Sequence, residues 1–554
     1  MRVVLRVVLV SALAVCAFGG LQALPVQKPL APVATTGGTV VGLELGSGVK
    51  AWLGVPFAEP PTGNLRWREP KAFRWQGVWN ADRKMAECPQ VMRAHDINHY
   101  YGEEPMSEDC LYLNVWAPPS STPGSKLPVI VYLYGGGFTI GSAGIATYGG
   151  EAVAGRGAVF VNFNYRVGVI GFLAHPELTK EQGGHSGNYG LMDQTLALRW
   201  IKDNIEKFGG DPSRILVLGQ SAGAGSVSQQ LMSPMAKGLF QRAVMSSGCN
   251  WGAAPTSLAD GEKNGLAIQQ YLGAADLAAL RYLPADKFVA AQLEGQIGVT
   301  VTRGVRAGPV VDGYFMPKSP REIIESGQMN AMPIIASFNH DESISPLMNA
   351  KSAEEYRALA EKLYGAAAPE FLKLYAPGKD ANFRELGGRV AREGGLESNA
   401  RNCADMNARY NKQKSWIALF SQPPSFAPGV HIADYDVATT GAYHTADIPF
   451  WFGTLDAFNM LRTTRVWKPA DYHLSSTMMD TLIAFAATGD PSTKEVSWPA
   501  WTPQKQVKLE FGGAKTAQVV PIVTKNIDWL AAHPAQRLDA APGTGGRVGG
   551  FPRD

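Results

Sequence analysis

The sequence predicts an α/β fold with a large mixed, mostly parallel central sheet that is flanked by helices. Three observations support this prediction. Short apolar segments typical of buried strands come first without helices between them. Later in the chain such segments alternate with segments of helical periodicity, which indicates parallel central strands. Finally, a serine between glycines stands where one strand-like segment passes into a helix-like one.

Nine segments have strand character and two have helical character. The predicted strands cover residues 39–45, 50–55, 111–116, 129–134, 158–165, 215–218, 243–247, 334–338 and 416–421. Residues 191–208 carry apolar side chains at helical spacing and stop at Gly209 and Gly210, which predicts a helix. A second helix of small and apolar residues is predicted over 222–232. No internal repeat is evident.

Length and composition describe an ordinary globular chain. It has 554 residues, of which 45% are hydrophobic, and a net charge of +3 without a long basic segment. These values argue against a nucleic-acid partner. Since α/β proteins often exceed the usual domain size as one unit, we predict a single domain over 37–535. A Pro- and Ala-rich flexible leader is predicted over 24–36, and a flexible tail over 536–554.

The first 23 residues have the pattern of a secretory signal peptide. Basic residues precede an apolar run that ends near Gly20, and cleavage is predicted after Ala23. A membrane anchor is the alternative, but the run is shorter than the roughly 20 residues of a span. Lipoprotein attachment at Cys16 is a second alternative, against which the preceding Val15 argues. The sequence therefore predicts a secreted or periplasmic protein without a stable membrane span.

Removal of the signal would leave four cysteines, Cys88, Cys110, Cys249 and Cys403. An even number in an exported protein indicates disulfide bonds, with three possible pairings. A bond between Cys88 and Cys110 would close a loop of 21 intervening residues. Cys249 and Cys403 would then be bonded to each other, or both would be free and buried. The metal-binding spacing C-x-x-C is absent from the sequence, and no metal or other cofactor is implied.

Residues 219–223 read G-Q-S-A-G, between the predicted strand 215–218 and the predicted helix. A G-x-S-x-G motif at a strand-to-helix turn is the nucleophile elbow of an α/β hydrolase. The flanking glycines give steric room in a strained turn. The helix that follows directs its positive N-terminal end towards the serine. Ser221 is therefore the predicted nucleophile, and the N–H group of Ala222 is a predicted oxyanion donor.

A serine nucleophile needs a base and an acid that orients the base, and in this fold the acid precedes the histidine. His444 is the predicted base, because it lies in a glycine-containing loop just ahead of an aromatic segment. Asp341 and Glu342 both follow the predicted strand 334–338, and both are candidates for the acid. Three glycines at 135–137 follow another predicted strand, and their N–H groups can converge on an oxyanion.

Further segments resemble the type-B carboxylesterase family, which includes cholinesterases, some fungal lipases and bacterial esterases. The matches run in family order over roughly residues 35–530. They are 108–115 (E-D-C-L-Y-L-N-V), 134–138 (Y-G-G-G-F), 164–166 (N-Y-R), 187–194 (G-N-Y-G-L-M-D-Q), 208–212 (F-G-G-D-P), 309–313 (P-V-V-D-G), 341–342 (D-E), His444 and 488–491 (T-G-D-P).

This resemblance implies hydrolysis of a small-molecule carboxylic ester through an acyl-enzyme, without a cofactor. The implied residues are the triad Ser221, Glu342 and His444 and the oxyanion donors Gly136, Gly137 and Ala222. Glu342 is thus implied as the acid in place of Asp341. The resemblance also supports the Cys88–Cys110 bond, whereas a Cys249–Cys403 bond rests on elimination, because the second disulfide of relatives usually closes a shorter loop.

Two departures from the family pattern concern the substrate pocket. The residue before the nucleophile is usually Glu, and here it is Gln220, whose amide favours a neighbouring positive charge less strongly than a carboxylate does. The Cys88–Cys110 loop lacks a tryptophan, so choline esters are not predicted substrates. Its charged residues also argue against interfacial activation. Phe138, Gln220 and Tyr443 are the predicted substrate-binding residues.

Three functions are compatible with these features. The favoured one is a secreted carboxylesterase for soluble esters of medium size. The second is a lipase or a specialist esterase for bulky natural esters (aryl, feruloyl-like or toxin esters). The third is a non-catalytic binding protein of the same fold, which the presence of Ser221, Glu342 and His444 argues against.

Overall fold

The computed structural model describes residues 28–536 except 92–96, 98–103, 294–296, 299–304 and 434. The predicted signal peptide over 1–23 and all but the first residue of the predicted tail therefore lie outside the described residues. So do Arg93, Asp96 and Glu103 of the Cys88–Cys110 loop.

Most of the chain is folded around one twelve-stranded sheet with helices on its faces. The strands are β1 (Lys28–Pro29), β2 (Val33–Ala34), β3 (Thr39–Val41), β4 (Leu43–Glu44), β5 (Lys50–Pro56), β6 (Val78–Asn80), β7 (Tyr112–Ala117), β8 (Leu127–Leu133), β9 (Val159–Phe163), β10 (Gly210–Gln220), β11 (Arg242–Ser246), β12 (Thr256–Ser257), β13 (Ile297–Gly298), β14 (Val305–Arg306), β15 (Val310–Val311), β16 (Ile334–Asn339), β17 (Ser415–Phe420), β18 (Val507–Phe511) and β19 (Ala517–Pro521).

The helices lie mainly in the second half of the chain. They are α1 (Glu151–Gly155), α2 (Gly168–Phe172), α3 (Pro176–Glu181), α4 (Tyr189–Asn204), α5 (Ala222–Met232), α6 (Leu258–Tyr271), α7 (Leu277–Tyr282), α8 (Ala285–Leu293), α9 (Pro320–Glu325), α10 (Ala353–Tyr364), α11 (Ala368–Leu374), α12 (Phe383–Gly394), α13 (Leu396–Asn411), α14 (Ile448–Phe452), α15 (Pro469–Thr488) and α16 (Thr524–Ala532). Among the described residues, none of these helices could cross a membrane.

The central sheet is mixed, and its middle is parallel. Its spatial order is β1-β4-β5-β7-β9-β8-β10-β11-β16-β17-β18-β19. The strands from β9 to β18 in this order pair in parallel, and the pairs at both edges are antiparallel. The fold class predicted from the sequence is therefore confirmed. The carboxyl ends of β8, β10, β11 and β16 lie at one edge of the sheet, as parallel strands require.

The leader and the far edge of the sheet differ from the sequence prediction. In the part of the predicted flexible leader that is described, β1 pairs with β4 and β2 pairs with β3, so this part is folded onto the domain. Residues 28–36 of the predicted leader thus contribute two strands to the sheets. Strands β18 and β19 form an antiparallel pair that the sequence prediction missed, although V-K-L-E-F in β18 alternates apolar and polar residues.

The core lies on both faces of the parallel strands, where near-continuous apolar runs are buried. In β8 and β9, side chains on both faces are buried; α5 and α15 pack on β8, and α1 packs on β9. A second, smaller core joins α10, α11 and α12 to α16. Except for α16, the helices that build it lie in the chain segment after β16.

Two disulfide bonds tie loops to this framework. Cys88 is bonded to Cys110, just before β7, and Cys249 is bonded to Cys403 on α13. The second bond spans 154 positions of sequence and fixes the segment that follows β11. Both cysteines of this second bond are buried.

Candidate active site

Ser221 stands in a sharp turn between β10 and α5. Its backbone has φ 57° and ψ −123°, a conformation that L-residues rarely adopt. The surrounding hydrogen bonds hold it there, since Ser221 N donates to Ser246 O at 2.8 Å and Gly225 N donates to Ser221 O at 3.0 Å. A Cβ atom on Gly223 would lie 2.0 Å from Leu133 O, so only glycine lets α5 approach β8 this closely.

The glycine turn after β8 lies beside Ser221. A Cβ atom on Gly135 would lie 2.9 Å from Ser221 Cβ, which shows how close the two segments are. Gly136 and Gly137 follow with φ of 116° and 63°. In the described part of the chain, neither of their N–H groups donates to a protein acceptor. Ala222 is the first residue of α5, where N–H groups have no partner within the helix. Three donors are thus available around Ser221.

His444 and Glu342 are in direct contact. His444 Nδ1 lies 2.5 Å from Glu342 Oε2, and the carboxylate side chain is fully buried. The other carboxylate oxygen, Oε1, accepts hydrogen bonds from Ser247 Oγ at 2.8 Å and Asn339 N at 2.6 Å. Because a carboxylate accepts and does not donate, Nδ1 carries the proton, and Nε2 of the neutral ring is a hydrogen-bond acceptor.

Asp341, the other candidate acid, has a different position. Its Oδ2 accepts a hydrogen bond from Ala442 N at 2.7 Å, and its N–H group donates to Ala442 O. These contacts tie the loop that carries His444 to the end of β16. His340 Nδ1 lies 2.9 Å from Asp341 Oδ1. Burial would raise the pKa of Asp341, but the interaction with His340 and the hydrogen bond from Ala442 N lower it below its ordinary value.

A second buried carboxyl group, that of Asp447, is close enough to His444 to act on its charge, and the sequence prediction missed it. Its Oδ2 accepts hydrogen bonds from Ser246 Oγ at 2.7 Å and Trp451 Nε1 at 3.1 Å, and Oδ1 accepts one from Asn339 Nδ2 at 3.1 Å. Burial, together with the charge of Glu342, raises the pKa of Asp447. Its place three residues after His444 was the signal that could have found it.

Opposing influences act on the pKa of His444. Burial lowers it, whereas the hydrogen bond to Glu342 and the charges of Glu342 and Asp447 raise it. The net result is a pKa raised from the ordinary value of 6.5. A base of this kind is protonated at mildly acidic pH and neutral above it.

Gln220 contacts the other nitrogen of the histidine. Its Nε2 atom lies 3.2 Å from His444 Nε2, and the side chain is 1% exposed. Gln220, predicted to bind substrate, is therefore a direct neighbour of the predicted base.

Phe138 and Tyr443 have different surroundings. Phe138 is half-buried, packs edge-to-face on Phe172 at 5.2 Å between ring centroids, and has φ 61°. Its ring lies over the first turn of α5, close to Gly225. Tyr443 is 3% exposed, and its hydroxyl group donates to Ile97 O at 3.5 Å. Phe138 is thus placed beside the nucleophile, whereas packing accounts for the contacts of Tyr443.

A group that could hold a metal ion is formed by His340, Asp341 and Glu385. The two nitrogens of His340 face different carboxylates, Nδ1 facing Asp341 at 2.9 Å and Nε2 facing Glu385 at 3.7 Å. In this arrangement His340 bridges the two carboxylates.

The glycine turn gives a testable expectation. A Cβ atom at Gly136 would lie 2.2 Å from Ile140 O, and φ is 116°, so Gly136→Ala has to move the turn. We expect kcat for ester hydrolysis to fall by about 10²- to 10³-fold, as when an oxyanion donor is lost. Steady-state kinetics with a nitrophenyl ester measure it. Gly155→Ala is the matched control, since nothing lies within 4 Å of its added Cβ. Unchanged kcat in Gly136→Ala would argue against this turn as the oxyanion site.

Comparison with known proteins identifies similar chains over nearly the whole length. The model of the carboxylesterase family matches residues 30–521. A fumonisin B1 esterase of Sphingopyxis macrogoltabida is 33% identical over 489 residues, covering 86% of each chain. A para-nitrobenzyl esterase of Bacillus subtilis is 32% identical over 466 residues, covering 82% of this chain and 89% of the relative.

Solved structures show the same similarity. Two structures of a PNB esterase superimpose with TM-scores of 0.70 and 0.72, each at 28% identity. The aligned regions cover 90% of this chain, and they cover 99% and 98% of the two PNB esterase chains.

Proposed function

Since this chain belongs to the carboxylesterase family, we propose that it is an exported serine esterase whose reaction is carried by Ser221, His444 and Glu342. Hydrolysis of carboxylic esters is the activity of the family. The observation that carries the residue assignment is the contact of His444 with the buried Glu342, at 2.5 Å, beside the strained turn of Ser221.

The proposed reaction is acyl transfer through the serine. His444 Nε2 takes the proton of Ser221 Oγ as this oxygen attacks the ester carbonyl carbon. The N–H groups of Gly136, Gly137 and Ala222 then hold the oxyanion of the tetrahedral intermediate. His444 returns the proton to the departing alcohol, and water releases the acid from the serine by the same steps. Glu342 keeps the ring oriented throughout.

Export and substrate class belong to the same proposal. Two disulfide bonds within the described residues are typical of proteins that fold in an oxidising compartment. The substrate is a small-molecule ester that reaches Ser221. Similarity to a fumonisin B1 esterase favours a second candidate function, a specialist esterase for one particular natural ester.

The experiment is the hydrolysis of nitrophenyl esters from acetyl to long acyl chains, with fluorophosphonate labelling of Ser221. We expect turnover of short and medium chains, because they are soluble and the proposed site acts on single molecules. A preference for long chains above their solubility limit would make the protein a lipase. Labelling of Ser221 without turnover of any ester in the series would favour the specialist. Folded protein with neither labelling nor turnover would refute the proposal.

The pH dependence follows from the raised pKa of His444. The proposed base works only when neutral, so activity is present above this pKa and is lost as the pH falls through it. We expect kcat/KM to reach half of its maximum at a pH above 6.5, the ordinary value for histidine. A profile between about pH 5 and about pH 9, corrected for spontaneous hydrolysis, measures it. A flat profile, or a midpoint below the ordinary value, would contradict the role of His444.

A further inference from the structure

The contact between Gln220 and His444 joins a buried amide to a partly exposed imidazole ring at the centre of the site. Gln220 is the last residue of β10, and its amide Nε2 lies 3.2 Å from His444 Nε2. On its other side the amide is held against the glycine turn, since a Cβ atom on Gly135 would lie 2.9 Å from Gln220 Oε1. The amide therefore lies between the glycine turn and the imidazole ring.

Proton positions at this contact follow from Glu342. Because the carboxylate accepts the Nδ1 proton, Nε2 of the neutral ring is an acceptor, and the Gln220 N–H group donates to it. When the ring is protonated, Nε2 becomes a donor. Rotation of the amide by about 180° then presents Oε1 to it, because an amide carries a donor and an acceptor at similar positions. A carboxylate in this place could accept a hydrogen bond from the protonated ring, but it could not donate one to the neutral ring.

Carboxyl groups near His444 explain why the neutral charge of the Gln220 amide matters for the protonation of the ring. From the end of β16, Glu342 faces Nδ1, and from the start of α14 the carboxyl group of Asp447 acts on the ring. Asp341, next to Glu342, is turned towards Ala442. At the end of β11, Ser246 and the following Ser247 contribute neutral hydroxyl groups, which donate to Asp447 and Glu342 respectively. Two carboxyl groups thus already favour the protonated ring, and a third would favour it further.

We propose that Gln220 is a positioning residue for His444, a neutral partner that pairs with Nε2 whether or not this nitrogen carries a proton. The proposal rests on the function proposed above, in which His444 is the base. By pairing with both forms, Gln220 holds the ring in place during proton transfer without stabilising one form over the other. The base thereby stays usable near neutral pH despite its acidic surroundings.

The test compares Gln220→Glu and Gln220→Met with the wild type. The readouts are the rate of fluorophosphonate labelling of Ser221 and kcat and KM for a nitrophenyl ester, each as a function of pH. For Gln220→Glu we expect the acid limb to move to higher pH by about one unit or more, since an adjacent opposite charge stabilises the protonated ring. Activity should recover towards alkaline pH.

Gln220→Met removes the amide at similar size and without charge. We expect its acid limb to stay within about 0.3 units of the wild type, while kcat falls about two- to tenfold at unchanged KM, as for one lost neutral hydrogen bond. Gln229→Glu is the charge control, because it adds the same charge on α5, about 12 Å along the helix from Ser221. Its acid limb should coincide with that of the wild type.

Three results would overturn the proposal. The first is an unshifted acid limb in folded Gln220→Glu. The second is a shift in Gln220→Met larger than half a unit, which remains measurable if Gln220→Glu does not fold. The third is a higher kcat in Gln220→Met, because it would show that the amide of the wild type competes with Ser221 for Nε2. Wild-type labelling of Ser221 reports separately on the proposed function, so the two failures are distinguishable.

Discussion

Replacement of Ser221 by alanine is expected to lower kcat for any ester substrate by about 10⁵- to 10⁶-fold. The hydroxyl group is the proposed site of acyl attachment, and no other hydroxyl group can take its place in this turn, where the backbone has φ 57°. Steady-state and burst kinetics with a nitrophenyl ester measure the loss. Fluorophosphonate labelling should disappear as well.

The strained backbone at Ser221 supplies a control on stability. Alanine keeps the strain, whereas Ser221→Gly relieves it, because glycine adopts positive φ without penalty. We expect Ser221→Gly to be as inactive as Ser221→Ala and to be more stable by about 1 kcal/mol, measured as a higher Tm. Residual turnover above about one per cent in either variant, with purified and folded protein, would show that another group is the nucleophile.

The sequence predicted the part of the site that depends on local pattern. The elbow was found because strand, glycine-flanked serine and helix are contiguous in residues 215–232, and the structure has the strand, the turn and the helix there. The loop position of His444 was also a local feature. Residue types alone did not decide whether Asp341 or Glu342 is the acid, because the direction of adjacent side chains depends on the turn after β16. In the structure Glu342 contacts the ring and Asp341 contacts Ala442 N.

Local sequence patterns could not predict contacts between segments that are far apart in the chain. Asp447 meets Ser246 across 201 positions of sequence, and Gln220 meets His444 across 224. The strand β1 is an example in the fold, since a Pro-rich segment has no strand signal of its own. It pairs with β4 at a sheet edge, where proline is tolerated because the missing N–H group faces outward. Such placements depend on tertiary packing, which overrides local propensity.

Loss of the Cys249–Cys403 bond is expected to destabilise the protein by about 5 kcal/mol, estimated from the entropy of closing so long a loop. The bond spans 154 positions, against 22 for Cys88–Cys110, whose removal should cost about 3 kcal/mol on the same basis. Alanine at both positions of each pair is the matched comparison, because all four cysteines are buried. Urea unfolding, followed by tryptophan fluorescence, measures the difference in unfolding free energy.

Activity should be affected by the same bond, because the segment that it fixes touches both sides of the site. Ser247 Oγ donates to Glu342 Oε1 at 2.8 Å, and a Cβ atom on Gly248 would lie 2.4 Å from Ser221 O. Without the bond, we expect this segment to loosen before the sheet unfolds, so esterase activity should be lost at a lower urea concentration than fluorescence. In the Cys88–Cys110 variant the separation should be smaller. Coincident loss of both signals in the Cys249–Cys403 variant would show that the bond stabilises the fold without bracing the site.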